Sequence, residues 1–299
     1  MQIAAHVLAY NVTSTLRAVL ENMSPHVDKI FIAHPLRPWC YVPESRAMKL
    51  NPTSKTDVLD ASRGLNVEIL EGDWETDEDS RNACLQRAKE DGFDWLLTQD
   101  ADEFYTEHSW KMIRMQLMKS IHEESFATTW YNFWKSAQYV VSNESGDIKG
   151  TNAGFALRCK TDLVFKHSRT SNSRNTLIMD CPCYHYGYVR TDAEIEEKIS
   201  TWMHAKEFNA LRWFKHKWLN WSEQSTNLHP TAPWIWKRAI RFPGEQPEFS
   251  IDFNIDYTSR KHFSLNQATD EAIYNLNALI RKSNKSAKIA IKEILHENS

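Results

Sequence analysis

Two carboxylates one residue apart, Asp100 and Asp102, close the segment Asp94-Trp95-Leu96-Leu97-Thr98-Gln99-Asp100-Ala101-Asp102-Glu103-Phe104. The apolar run from Trp95 to Thr98 has the length of a buried strand, which would carry both acids into a turn at the edge of a sheet. Carboxylate oxygens are hard ligands suited to Mg²⁺ or Mn²⁺, and those ions keep open positions for diphosphate oxygens. A cation held there neutralises charge building on a nucleoside-diphosphate leaving group, the main electrostatic demand of glycosyl transfer. Acidic pairs in exposed turns are common, so the chemistry depends on the elements that place this one.

Those elements alternate. Ile3 to Ala9 is an apolar run of strand length, and Leu16, Val19, Leu20 and Met23 then recur at helical spacing. Val27 to Ala33 is predicted as a second strand, followed by a loop with Pro35, Pro38, Pro43 and Pro52. Val67 to Leu70 is a third strand, Asp77 to Lys89 a helix, and Trp95 to Thr98 the fourth strand. Strands alternating with helices of about a dozen residues imply βαβ units and a parallel sheet. Ligands bind beyond the carboxyl ends of such strands. Asn11, Asp73 and Asp100 all follow strand ends and are expected to converge on one crevice. From Phe126 the pattern changes to longer strands, Phe126 to Val141 and Phe155 to Phe165, with a Ser-Gly-Asp turn at 145–147 between them. Thr191-Asp192-Ala193-Glu194 has the form of a capping box. It opens a stretch without Gly or Pro that is read as two helices reaching His229, and two more are expected from Asn266 to His296.

The chain resembles the GT-A glycosyltransferases of the family-2 type, over roughly residues 2–105 and again around 183–202. Leu8-Ala9-Tyr10-Asn11 looks like the family's donor-binding turn after the first strand, with Val12 where an acid is usual. Pro25-His26-Val27-Asp28-Lys29-Ile30 resembles the entry to the second strand. Asp73 occupies the place of the acid that contacts the nucleotide base, and Ser80-Arg81-Asn82 resembles the helix start whose Arg lies near the diphosphate. Tyr184-His185-Tyr186-Gly187-Tyr188-Val189-Arg190, followed by Lys198, is similar to a downstream segment of related proteins.

The resemblance implies a mixed α/β fold of the Rossmann-like GT-A type, its central sheet flanked by helices, with a catalytic core at 1–190 and a helical acceptor-side extension at 191–299. It implies a metal-dependent hexosyltransferase using a nucleotide-sugar, a UDP-sugar first, with Mn²⁺ or Mg²⁺. Asp100, Asp102 and His185 would hold the metal. Tyr10, Asn11, Asp73, Arg81, Asp100 and Lys198 would hold the donor. The family's acidic catalytic-base pair has no recognisable counterpart. Glu103 and Asp192 are the candidates for that role, with Asp180 and Glu194 also available, since deprotonating an acceptor hydroxyl needs a carboxylate within hydrogen-bond reach.

The acceptor is less legible. Between Trp202 and Arg241 lie seven Lys and Arg (206, 212, 215, 217, 237, 238 and 241) against Glu207 and Glu223, interleaved with Trp202, Trp213, Trp218, Trp221, Trp234 and Trp236. This segment reads as a glycan platform, as a surface for phosphodiester backbones and splayed bases, or as amphipathic helices whose tryptophans pack inward. On the second reading the acceptor is a modified DNA base flipped from its duplex. A nucleotidyltransferase also uses paired acids, but Ala9 to Thr15 lacks the glycines of a triphosphate-binding loop.

Composition sets outer bounds. With 299 residues, 41% hydrophobic and 25% charged, the chain can bury a sizeable core, and its net charge of −3 does not point to a polyanionic partner. Five cysteines without a CxxC pair fit a reducing compartment. No apolar stretch approaches the roughly 20 residues of a membrane span, and the first residues lack a signal-peptide pattern. A cytoplasmic protein is expected.

Overall fold

The computed structural model describes residues 1–248 together with 269, 271–277, 280 and 283. Four parallel strands form its centre: β1 (Ile3–Leu8), β2 (Lys29–Pro35), β3 (Val67–Gly72) and β4 (Trp95–Thr98). Their order, β4-β1-β2-β3, puts β3 at one edge. The residues of β1 alternate between two layers, as strand geometry requires. Ile3, Ala5 and Val7 enter one apolar cluster with Leu16, Val19 and Leu20 of α1 (Leu16–Met23), while Ala4 enters another with Phe31, Cys84, Leu85 and Ala88. Two short helices follow β2 in the Pro-rich region, α2 (Pro43–Met48) and α3 (Lys55–Ser62). Helix α4 (Asp77–Glu90) carries Cys84, Leu85 and Ala88. It begins at a Thr76–Asp79 capping box, with acids in its first turn and Arg87 and Lys89 in its last, both matched to the helix dipole.

Beyond β4 the two-residue β5 (Glu103–Phe104) leads into α5 (Glu107–Lys119), which packs Ile113 and Leu117 into the α1 layer. Strands β6 (Ser125–Trp134), β7 (Ser136–Ser142) and β8 (Asn152–Arg158) then extend the sheet antiparallel, in the order β7-β6-β8-β4. The strand expected from Phe126 to Val141 is broken at Lys135, whose φ of 64° is left-handed and turns the chain back on itself. A small hairpin, β9 (Phe165–His167) and β10 (Thr170–Ser171), stands apart from the sheet. Strand β11 (Thr176–Tyr188) returns between β5, to which it is antiparallel, and β6, to which it is parallel.

After residue 190 come α6 (Asp192–Thr201), opened by the Thr191–Glu194 capping box, and a shorter helical run from α7 (Ala210–Trp213) through Leu219. Strand β12 (Arg238–Arg241) then pairs with β7, so this segment also contributes to the main sheet. The mixed sheet flanked by helices is the architecture expected. Of the two helices expected from Asn266 to His296, only residues 269, 271–277, 280 and 283 fall among the described residues, all of them helical. The remainder lies outside. No helix among the described residues is long and apolar enough to cross a membrane.

Candidate active site

A cleft of about 400 Å³ opens at the carboxyl ends of β1 and β4. Strand order dictates its plan. The end of β1 and the loops after β1 and β2 bring Leu8, Tyr10, Asn11, Trp39 and Tyr41 to one side. The β6, β8 and β9–β10 elements bring Trp130, Asn152, Gly154 and Arg169 to the other, and Asp100 and Asp102 sit between. Helix α6 and the residues after it close the cleft with Lys198, Thr201, Trp202 and Met203. It therefore draws on both sides of the boundary expected at residue 190.

The two acids have different partners. Asp100 Oδ1 accepts from Arg81 Nη2 at 3.3 Å, and its Oδ2 lies 2.9 Å from Arg169 Nη2. Burial opposes ionisation of Asp100, but Arg169 and Arg81 outweigh it and hold the carboxyl below its usual range. Asp102 is almost sealed, at 5% exposure. Its Oδ2 accepts from Arg190 Nη2 at 2.8 Å, with Lys198 Nζ 3.8 Å away. Burial again opposes ionisation, and the surrounding cations, Lys198 and Arg190 among them, keep the group well below the ordinary carboxylate range.

The other oxygen of Asp102 faces His185. Register explains the meeting: β11 sets His185 opposite Glu103 of β5 on one side and opposite Asn132 of β6 on the other. His185 Nδ1 lies 2.7 Å from Asn132 Oδ1. An amide oxygen only accepts, so Nδ1 carries the proton and Nε2 presents a lone pair. Burial pulls the His185 pKa down to about 4, which keeps the ring neutral near pH 7. Nε2 stands 3.6 Å from Asp102 Oδ1, too far for a hydrogen bond. Two ligands of one octahedral cation, each about 2.1 Å from it, lie roughly 3 to 4 Å apart.

The donor set fits a divalent ion. Asp102 and His185 each turn one ligand atom to the shared space and anchor the other, as ligands do when outer partners orient them. Gly187 keeps that space open, since a Cβ there would lie 2.6 Å from His185 Nε2 and 3.0 Å from Lys198 Nζ. Ligand atoms of Asp102, Glu103 and His185 lie within 4.8 Å of one another. Glu103, however, is fully buried, and Arg169 engages both its oxygens at 2.6 and 3.1 Å. Asp100, expected as a further ligand, has Oδ1 on Arg81 and Oδ2 on Arg169, so Asp102 and His185 are the available pair.

Arg81 is buried between Asp77 and Asp100, and Tyr10 donates its hydroxyl to Glu197 Oε1 at 3.1 Å. Asn11, at a left-handed φ of 54°, is held through its carbonyl by Arg190 Nη1 at 2.7 Å. Lys198 donates to Gly187 O at 3.0 Å. Asp73 does not join them. β3 is two strands away from β1, roughly 10 Å. Arg46 and Arg37 hold its half-exposed carboxylate, at 2.9 and 3.4 Å.

Neither expected base lines the cleft. Burial raises the Glu103 pKa to about 8 against the pull of Arg169. Asp192 is 63% exposed at the start of α6 and accepts from Trp218 Nε1 at 2.7 Å. Of the alternatives, Glu194 caps α6 and Asp180 is exposed on β11.

Several cleft residues carried no assigned role in the sequence. Arg190 stood unassigned inside the His185 segment. Arg169 comes from a Ser-rich hairpin with no motif around it. Trp130, and Asn132 two residues on, sit in β6, where no motif marks them. Two residues apart, they face the same way and both meet His185, Trp130 through rings 4.2 Å apart.

The tryptophan-rich segment mostly packs inward. Trp213, Trp218 and Trp221 are fully buried, and Trp236 is nearly so. They cluster with Trp134, Tyr139 and Tyr188, and Trp134 makes edge-to-face contacts with Trp213, Trp218 and Trp236. Lys217 is buried as well, paired to Glu271. Of the six tryptophans, Trp202 lines the cleft.

No protein-family model and no curated protein matches the chain. Among solved structures it is similar to the 1–349 fragment of S. aureus TarS, with TM-score 0.40 and 11% identity over 74% of this chain and 71% of that one. It is similar also to S. aureus TarS, with TM-score 0.39 and 12% identity over 74% and 43%. A third is 4-diphosphocytidyl-2C-methyl-D-erythritol synthase from Anaerococcus prevotii, with TM-score 0.38 and 13% identity over 62% and 89%. Overlaps of this size are partial, and the functional reading rests on the site itself.

Proposed function

We propose that the protein is a metal-dependent glycosyltransferase that moves a sugar from a nucleotide-sugar, a UDP-sugar first, to a hydroxyl acceptor. One observation carries this reading: Asp102 Oδ1 and His185 Nε2 face each other at 3.6 Å in a cation-lined cleft at the end of the fourth parallel strand. Asp102 and His185 would hold Mn²⁺ or Mg²⁺, and such an ion, when bound, offsets negative charge on a diphosphate leaving group.

The chain's own residues supply the rest. Arg190 and Asn132 fix the orientation of the two ligands. Lys198, Arg81 and Arg190 offer positive charge to phosphate oxygens in a water-poor site, where such interactions are strong. Tyr10, Trp39, Tyr41 and Trp202 supply aromatic faces for the base. Asp100 stays ionised beside Arg81 and Arg169, and Glu103 anchors Arg169.

The test is calorimetric binding of UDP-, GDP- and dTDP-sugars and of nucleoside triphosphates, with Mn²⁺ and with chelator. A nucleotide-sugar should bind only with metal, and Asp102→Ala should weaken it at least tenfold. Binding of triphosphates alone would favour a nucleotidyltransferase and overturn the proposal, as would metal-independent binding.

A further inference from the structure

A second cavity, about 380 Å³, lies between the β9–β10 hairpin and the sheet. Sheet register builds its floor. Ser125 and Ala127 of β6 alternate onto one face, as do Thr176 and Ile178 of β11. Ala127 stands between Ile178 on β11 and Gly154 on β8, and Thr176 stands beside Ser125. The middle of the floor is therefore Ala127 and Gly154, where a central strand usually carries β-branched or aromatic side chains. Their small size leaves a trough. The hairpin and the residues after it supply a wall, Arg169, Thr170, Ser171 and Ser173, and Ser173 Oγ meets Ser125 Oγ at 2.7 Å, tying wall to floor.

The lining says what the trough can hold. Among the described residues it carries one charged group, the Arg169 guanidinium, which Asp100 and Glu103 already engage. A phosphate or carboxylate entering would find no free counter-charge. Thr170, Ser171, Ser173 and Thr176 offer hydroxyls, which both donate and accept, and Ala127 and the 56% exposed Ile178 offer apolar surface. A neutral saccharide presents the matching mixture, hydroxyls along its edge and C–H groups on its face. The trough also adjoins the cleft, since Asn152, Gly154, Arg169 and Thr170 line both. Asn152 and Thr170 are exposed, so the two volumes communicate on that side. A nucleotide laid with its base on Tyr10, Trp39 and Tyr41 and its diphosphate at Asp102 and His185 turns its sugar toward this junction. Resting on the proposed glycosyltransferase reading, we infer that the trough beneath the β9–β10 hairpin is the acceptor site and that it takes a neutral saccharide. In the transfer an acceptor hydroxyl oxygen bonds to the anomeric carbon, the bond from that carbon to the diphosphate oxygen breaks with its electron pair leaving on the diphosphate, and the hydroxyl proton is released to water.

The experiment titrates the full chain by calorimetry, with Mn²⁺ and the diphosphate of whichever nucleotide-sugar binds. The probes are maltotetraose, cellotetraose, mannotetraose and tetraacetylchitotetraose, beside a hyaluronan tetrasaccharide and a short single-stranded DNA as charged probes. At least one neutral tetrasaccharide should bind. Ala127→Leu fills the floor, and Thr176→Trp hangs an indole over the trough from an exposed position where folding is not at stake. Each should weaken that saccharide at least about tenfold, while affinity for the nucleotide-sugar, which also reports folding, changes less than about twofold. Saccharide binding that both variants leave intact overturns the inference, as does binding of a charged probe alone or of no probe by protein that holds its nucleotide-sugar. If no nucleotide-sugar binds but the variants abolish saccharide binding, the proposed function fails and the trough remains a saccharide site.

Discussion

At the scale of single residues, the proposed metal role depends on atoms that are aimed as well as present. Asp102 and His185 each fix one polar atom on a neighbour and leave the other for the shared space. Gly187 is the residue that leaves room for this. Its substitution by Ala would set a methyl group 2.6 Å from Nε2 of an imidazole that Asn132 and Trp130 do not let retreat. Gly187→Ala is expected to retain the circular dichroism of the parent and to lose at least tenfold in metal-dependent nucleotide binding. An unchanged affinity in a calorimetric titration would show that His185 is not a ligand. Legibility differed residue by residue for physical reasons. The meeting of Asp102 and His185 could be anticipated because a strand end and a Tyr-rich segment framed them, and their proposed metal role rests on it. Arg169 could not, because an arginine in a serine-rich loop has no local signature and gains its role from Glu103, 66 positions away.

At the scale of elements, the β9–β10 hairpin is the device that brings Arg169 to the cleft. It packs Phe165 into the core on the α4 face of the sheet and is tied down by Asn82 of α4, which donates to Phe165 O at 2.9 Å and accepts from Phe165 N at 2.8 Å. Gly154 of β8 completes the arrangement, because a Cβ there would collide with Arg169 O at 2.4 Å. Asn82→Ala leaves two backbone groups to find other partners, a cost of about 1–3 kcal/mol. The expected result is a lower urea midpoint together with weaker nucleotide binding, since Arg169 would no longer be held on Asp100. A lower midpoint with full affinity would mean that the hairpin is only structural. Periodicity and capping residues made the parallel half of the sheet legible, β1 to β4 with α1 and α4. They say nothing about lateral order, which is why Asp73, although just past a strand end, was expected in the cleft and stands outside it. The left-handed turn at Lys135 was equally invisible, because lysine has no preference for that conformation.

At the scale of the molecule, the sheet brings distant parts of the chain together: Asn11 meets Arg190 across 179 positions, and Tyr10 meets Glu197 across 187. The tryptophan-rich segment serves this assembly. Its buried indoles join the residues after α6 to β6, β7 and β11, and so seat the helix that carries Lys198 against the sheet. The segment's aromatic and basic composition was the part of the sequence most open to a nucleic-acid reading, and burial of four of its six rings removes most of the stacking surface that reading requires.

The interleaving of acids and bases around the cleft has a consequence for how a ligand arrives. Asp77, Asp100 and Asp102 are threaded among Arg81, Arg169, Arg190 and Lys198, so their formal charges nearly cancel over a few ångströms. Such an arrangement projects little potential beyond its own walls. An incoming metal ion is then not drawn in from a distance, unlike ligands steered by clefts lined with one sign of charge. Stopped-flow association of Mn²⁺ with the metal-free protein should change less than about threefold between low and physiological ionic strength, where a steered encounter falls steeply. Discrimination at this cleft would then be exercised after contact, in the time a ligand stays rather than in how often it comes.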